Sequence, residues 1–358
     1  MALAIPLVWS DAHRLHDPDV GIWIGVRIPA DELPERAETI RSALEGAGAP
    51  VVPAERHSDG ALQAVHAPEL VSFLRDAWAG WEAAGLPEDP GQKGVVGYIF
   101  PHTGFLAGLP LREPVATPAR TGAYCYDTMT LVGPGTWEAA RAAVDTALTA
   151  ADLVLGGKRA AYACCRPPGH HVTRTAFGGS CYLNNSAIAA QYLQDQGVPR
   201  VAVLDVDAHH GNGAQAIFWE REDVLTASAH VDPGAGWFPH YLGYAEERGG
   251  GVGEGANLNE PLAPGSGDEA WLAAVARLTD TARAHGSEAL VVPLGVDAGE
   301  GDPNSPLAVT EAGFREAGRL LGGLGLPTVL VQEGGYDLEL IGTLVRAVLE
   351  GFEEATSP

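Results

Sequence analysis

Four short stretches of the 358-residue chain concentrate side chains capable of acid–base and metal chemistry. They are Arg166-Pro-Pro-Gly-His170-His171, Asp205-Val-Asp207-Ala-His209-His210-Gly211-Asn212-Gly213, Asp297 within Gly-Val-Asp-Ala-Gly-Glu-Gly-Asp-Pro, and Glu333-Gly-Gly-Tyr336. Residues two apart at a strand end project the same way, so Asp205, Asp207 and His209 share one side. Two carboxylates and one imidazole converging on a point, with room left for water, match a catalytic zinc site; Asp207, His209 and Asp297 are the expected ligands. Any one of these residues alone reads sooner as a loop-initiating or helix-capping group. Four such motifs, each directly after an apolar run, are poorly accounted for in that way.

Those runs must be the elements that position the chemistry. Ala160–Cys165, Arg200–Val206, Val224–Ala229, Ala289–Val296 and Thr328–Gln332 are continuously apolar rather than alternating, as expected of strands covered on both faces. Amphipathic patterns predict helices over Pro34–Gly46, Pro68–Ala84, Thr136–Leu155, Asn184–Gln196, Asp268–Ala284, Thr310–Leu321 and Asp337–Phe352. The alternation predicts a single α/β domain over 1–358, a mainly parallel multi-stranded sheet with helices on both faces. In such sheets ligands gather at the carboxyl ends of the strands. That rule points to segments 166–182, 205–213, 228–240, 297–306 and 333–336. Two stretches, 86–122 and 230–267, are rich in glycine and proline and show little periodicity. Loops this long are usually functional, and the first reads as an insertion loop.

Composition excludes more than it selects. The formal charge is −24, and Lys93 and Lys158 are the only lysines. Nucleic acid is excluded as a partner, because affinity for polyphosphate comes from clustered Lys and Arg. No window approaches ~18 uninterrupted apolar residues, so no membrane span is expected. The first ten residues lack a basic region and do not read as a signal peptide, which makes cytoplasmic residence the expectation. Cys125, Cys164, Cys165 and Cys181 form no C-x-x-C pair, and the adjacent Cys164 and Cys165, set in an apolar run, read as buried thiols.

Taken in order, RPPGHH, CYLNN, LDVDAHHGNG, GVDAGEGDP and EGGY resemble the zinc-dependent histone deacetylase family. The segments VVPAERH, Gly133–Trp137, FGGSCYLNN and DPGAGWFPHYLGYAEE are similar to its bacterial acetylpolyamine amidohydrolase branch. The resemblance implies the arginase–deacetylase fold and amide hydrolysis with one zinc per chain on Asp207, His209 and Asp297. It implies that His170 and His171 handle protons, with His171 oriented by Asn212, and that Tyr336 donates to the developing oxyanion. Asp205 would pair with His170 and join a structural K+ or Na+ site with Ser228 and the carbonyls of Asp207, His209 and Ala229. Gly179 and Gly334 would line the substrate slot. In the binuclear relatives of this fold the second metal needs aspartates where this chain has Gly211 and Gly299, which disfavours a ureohydrolase.

The rim of the slot departs from the family pattern. Phe238 supplies one flanking aromatic, but the position before Cys181 is Ser180, so Trp237, Tyr126 or Trp23 must close that wall or leave it open. Asn304, after Asp302-Pro303, is neutral where a gatekeeper is expected. The glutamate that polyamine-directed relatives place before the GAYC-like segment is absent, and Glu113 is its nearest substitute. The expected substrate is a small-molecule amide, acetylpolyamines first. An acyl-lysine peptide or another small amide is the alternative. A homodimer through the 86–122 loop is the expected assembly.

Overall fold

The computed structural model describes residues 2–356. Ten strands run in chain order as β1 (Leu7–Trp9), β2 (Val20–Trp23), β3 (Val26–Pro29), β4 (Val51–Pro53), β5 (Ala160–Ala163), β6 (Val201–Asp205), β7 (Val224–Val231), β8 (Asn257–Leu262), β9 (Ala289–Leu294) and β10 (Thr328–Gln332). Eight of them form one sheet in the order β4-β1-β5-β10-β9-β6-β7-β8. Every pairing in it is parallel. The single-domain α/β architecture expected from the alternation is therefore the one observed.

The continuous apolar strands are explained by burial on both faces. In β6, Ala202 and Leu204 face a core shared with helices 34–46, 268–285, 311–322 and 341–356. Val201 and Val203 face the opposite core, built with helices 68–83, 136–155 and 185–195. Parallel pairing needs these crossover helices, and their apolar faces are what the sheet buries. No described helix is long and apolar enough to cross a membrane. All four cysteines are buried and unpaired.

The differences from expectation are local. Strands β1 and β4 span three residues each, too short for a periodic signal. Segment 230–267 is not all loop: β7 runs on to Val231, and β8 lies within the segment as an edge strand with Asn257, Asn259 and Leu262 buried and the other positions partly exposed. The hairpin of β2 and β3 turns at Ile24 and Gly25, both at positive φ (52° and 75°). Such a two-residue turn matches the twist of a hairpin. The last helix begins at Ile341 rather than Asp337. The Asp337 carboxylate instead accepts the Glu339 and Leu340 N–H groups and closes a turn. Residues 86–122 hold a short helical turn, Thr103–Leu106, and the first part of a helix, Thr117–Tyr124.

The topology matters for chemistry because β5, β10, β9 and β6 are consecutive neighbours with one direction. Their carboxyl ends lie along one sheet edge. The segments that follow them carry His170 and His171, Glu333 to Tyr336, Asp297, and Asp205 to Asn212.

Candidate active site

Asp207, His209 and Asp297 meet at that edge. One donor atom from each lies within 4.8 Å of the others. His209 Nδ1 faces Asp297 Oδ2 at 3.0 Å and Asp207 Oδ1 at 3.3 Å. The outer lone pairs of both carboxylates are held by main chain. Asp207 accepts the N–H of His209 (2.9 Å) and of Gly334 (2.7 Å), and Asp297 accepts that of Ala208 (2.8 Å). Such supporting bonds fix ligand orientation. A buried pair of carboxylates with one imidazole fits a divalent ion of zinc's type, since two adjacent buried anions otherwise lack sufficient counter-charge.

Glycines make the cradle possible. A Cβ on Gly295 would sit 1.9 Å from Asp207 Oδ2, and one on Gly334 would sit 2.3 Å from Asp297 Oδ2. A Cβ on Gly179 would lie 2.3 Å from the His171 ring, and Gly179 has φ +61°. Side chains at any of the three would displace the groups that do the chemistry.

The tandem histidines differ in their partners. His170 Nδ1 lies 2.9 Å from Asp205 Oδ2. Burial alone would lower its pKa, but the Asp207 and Asp205 carboxylates overcome that and push it up to about 10. Burial raises Asp205 to about 6 against the pull of His170, so the pair is charged at neutral pH. His171 Nδ1 instead faces the uncharged Asn212 Oδ1 at 2.7 Å. Burial, with His170 and His209 nearby, lowers His171 well below the ordinary imidazole value. The two rings lie close and tilted, with centroids 4.0 Å apart and planes 39° apart. One histidine is thus held cationic and the other neutral, with its Nε2 available as a proton acceptor. Asp205 and Ser228 are register partners across β6 and β7. The Ser228 hydroxyl bonds His230 Nδ1 at 2.8 Å, and Ala229 is buried beside it.

Tyr336 is fixed from behind. Its N–H donates to Asp302 Oδ2 at 2.7 Å, Gly335 turns the chain at φ +120°, and the Arg36 guanidinium stacks 4.7 Å from the ring centroid. Burial raises the phenol well above its usual pKa against the pull of Arg36, so it stays protonated and can donate.

A cavity of about 530 Å³ opens over these groups and is lined by His171, His209, Gly179 and Tyr336. Phe238, Ser180, Trp23, Trp237 and Asn304 also line it. Tyr126 does not. It stacks on Phe238 and donates its hydroxyl to the His171 carbonyl at 2.9 Å. Gly334 borders the ligand carboxylates rather than the open cavity. Glu113 is paired with Arg120 at 2.6 Å and is not at the cavity.

A histone deacetylase domain matches residues 30–352 of the chain. The chain belongs to the histone deacetylase family. It is 41% identical over 346 residues to an acetylpolyamine amidohydrolase of Mycoplana ramosa, covering 96% of this chain and 98% of the relative. It is likewise 41% identical to acetylpolyamine amidohydrolase 1 of Pseudomonas aeruginosa, over 97% of this chain and 99% of that one. The crystal structure of an acetylpolyamine aminohydrolase from Burkholderia pseudomallei superposes with a TM-score of 0.91 at 39% identity, over 98% of this chain and 99% of that one. The chain is a deacetylase hydrolase.

Two residues support the deacetylase site without an expected role: Asp127, which no motif flagged, and Glu333, the first residue of the Glu-Gly-Gly-Tyr motif. Asp127 Oδ2 accepts the Gly179 N–H at 2.6 Å, pinning the glycine beside His171. Glu333, buried and raised by that burial to about 7, accepts the N–H groups of Gly169 and His170 and the Ser186 hydroxyl. The run Gly-Val-Asp-Ala-Gly-Glu-Gly-Asp-Pro already contained Gly295 and Asp302, and the need for a bare backbone beside a ligand carboxylate is the signal that could have marked Gly295.

Proposed function

We propose that this deacetylase hydrolyses the acetyl amide of small amines, acetylpolyamines first, with one zinc held by Asp207, His209 and Asp297. The observation that carries the reading is the convergence of those three donors within 4.8 Å, at a cavity that His171 and Tyr336 also line. The names of the relatives, acetylpolyamine amidohydrolases over nearly the whole chain, support the substrate class. Zinc bound there would supply Lewis acidity to the amide carbonyl and to the attacking water.

The remaining steps belong to the protein. His171 Nε2 takes a proton from water as its oxygen bonds to the carbonyl carbon. The neutral Asn212 partner keeps this imidazole weakly basic, so it can release the proton again. The Tyr336 O–H donates to the carbonyl oxygen as it gains negative charge. When the C–N bond breaks, the proton passes from His171 to the departing nitrogen, leaving acetate and the amine. His170, held cationic by Asp205, stabilises negative charge nearby without turning over.

A K+ or Na+ ion at Asp205, Ser228 and the carbonyls of Asp207, His209 and Ala229 would brace the ligand loop. The exposed Phe105, Leu109, Leu111 and Val115 of the 86–122 loop suit a contact with a second copy, giving a homodimer, and the substrate contacts would come from Gly179, Ser180, Phe238, Trp23 and Asn304. The test is acetate release from N-acetylputrescine, N8-acetylspermidine and an acetyl-lysine peptide by zinc-loaded enzyme. Turnover of the acetylated amines above the peptide is expected. No acetate from any acetylated amine would overturn the proposal.

A further inference from the structure

We infer that Asp31, oriented by Asn304, is the carboxylate that receives the second, charged nitrogen of an acylated diamine. The inference rests on the amidohydrolase reading above and specifies how its site selects a cationic substrate.

Two carboxylates outside the ligand cluster line the cavity, Asp31 and Glu32. Glu32 is buried and already neutralised: it lies 2.5 Å from Arg36 Nη1 and 2.9 Å from Arg166 Nε. Asp31 is exposed, and no described Lys, Arg or His makes an ion pair with it. Its one side-chain bond is from Asn304 Nδ2, 3.3 Å from Asp31 Oδ2. An amide donor orients a carboxylate without cancelling its charge. No described lysine or arginine lines the cavity, so no permanently charged side chain there competes with a substrate cation. Trp23, Trp237 and Phe238 share the cavity and offer ring faces of the kind that attract ammonium groups.

The rim carboxylate is also tied to the reacting centre. Asp302 Oδ1 accepts the Asn304 N–H at 2.9 Å, while Asp302 Oδ2 accepts the Tyr336 N–H at 2.7 Å. One buried carboxylate therefore sets both the residue that orients Asp31 and the tyrosine that acts on the carbonyl. A substrate anchored at Asp31 is registered against Tyr336 through two short links. The neutral Asn304 does not leave the slot without counter-charge, because the charge comes from a residue 273 positions away.

The experiment compares kcat/KM for N-acetylputrescine with that for N-butylacetamide, its uncharged analogue of similar length, in wild type, Asp31→Asn and Asp19→Asn. The last variant removes the same charge from an exposed position outside the cavity. Asp31→Asn should lower the cationic-to-neutral ratio about fivefold, carried by KM, as expected of one solvent-accessible ion pair. Asp31→Lys should lower it further, and Asp19→Asn should keep the wild-type ratio. A ratio within about twofold of wild type in Asp31→Asn, with N-acetylputrescine still hydrolysed, overturns the assignment of Asp31 alone. An equal fall in Asp19→Asn also overturns it, since net charge would then suffice. A wild type that releases no acetate from N-acetylputrescine overturns this inference together with the function on which it rests.

Discussion

Replacing Gly334 by alanine tests the ligand cradle with a single methyl group. The Gly334 N–H donates to Asp207 Oδ2 at 2.7 Å. A Cβ built at this residue lies 2.3 Å from Asp297 Oδ2 and 2.6 Å from Asp207 Oδ2, where real contacts stay beyond 3.0 Å. The backbone at 334 is not in the left-handed region, so the methyl itself is the perturbation. Asp297 must retreat by about 0.7 Å, more than the roughly 0.5 Å within which a ligand constellation keeps its function. Neither carboxylate can simply rotate away, because each holds main-chain N–H groups on its other side. The expected cost is a 10- to 100-fold loss of zinc affinity, about 1.4–2.8 kcal/mol. Competition with a chromophoric chelator measures it, and the melting temperature of metal-free protein separates lost affinity from a failed fold. Zinc affinity within about twofold of wild type, in a folded variant, would refute the steric argument.

Tyr336→Phe should bind zinc as wild type does while losing roughly 100- to 1000-fold in kcat, because the ring is placed by Asp302 and Arg36 rather than by its hydroxyl; a wild-type kcat would contradict the donor role. Acid sensitivity should come in part from His66, whose Nε2 accepts the Asn184 N–H at 3.0 Å. Burial lowers His66 from 6.5 to about 4, so the folded state binds this proton less readily than the unfolded one. Its contribution is complete above pH 6.5, is lost as pH falls toward 4, and amounts to at most about 3 kcal/mol. Urea denaturation across that window measures the loss, and His66→Gln should flatten the curve; an equal slope in the variant would rule the residue out. Ser180→Phe should cut turnover of amides with branched or aromatic arms more than of straight-chain ones, since Ser180 lines the cavity. Ser180 already occupies left-handed backbone at φ +61°, so the ring itself is the perturbation; an unchanged substrate profile would show that position 180 does not set the width.

The chemistry was legible because parallel strands bring distant segments to one edge. Once Ala160–Ala163, Val201–Asp205, Ala289–Leu294 and Thr328–Gln332 are read as neighbouring strands, the motifs after them have little choice but to meet. Helices Pro34–Gly46 and Thr136–Leu155 were readable to the residue from their apolar stripes. What the sequence hid depends on loop paths. The pairing of Asp31 with Asn304 joins segments 273 residues apart with no shared periodicity. The place of Tyr126 behind Phe238 rather than on the cavity wall, and the Asp127 carboxylate beneath Gly179, follow from how residues 125–131 fold back on the His171 loop. Edge strand β8 was hidden because its buried face carries Asn257 and Asn259, satisfied by hydrogen bonds to Thr226 and Gln215 rather than by apolar packing, so it lacked the apolar signal of a strand.

The most direct test of the account is acetate released from N-acetylputrescine as zinc is titrated into metal-stripped protein. Activity should rise linearly and level off at one zinc per chain, and Asp297→Ala should release none at the same loading. Acetate released without zinc, or undiminished in Asp297→Ala, would contradict hydrolysis at this cluster.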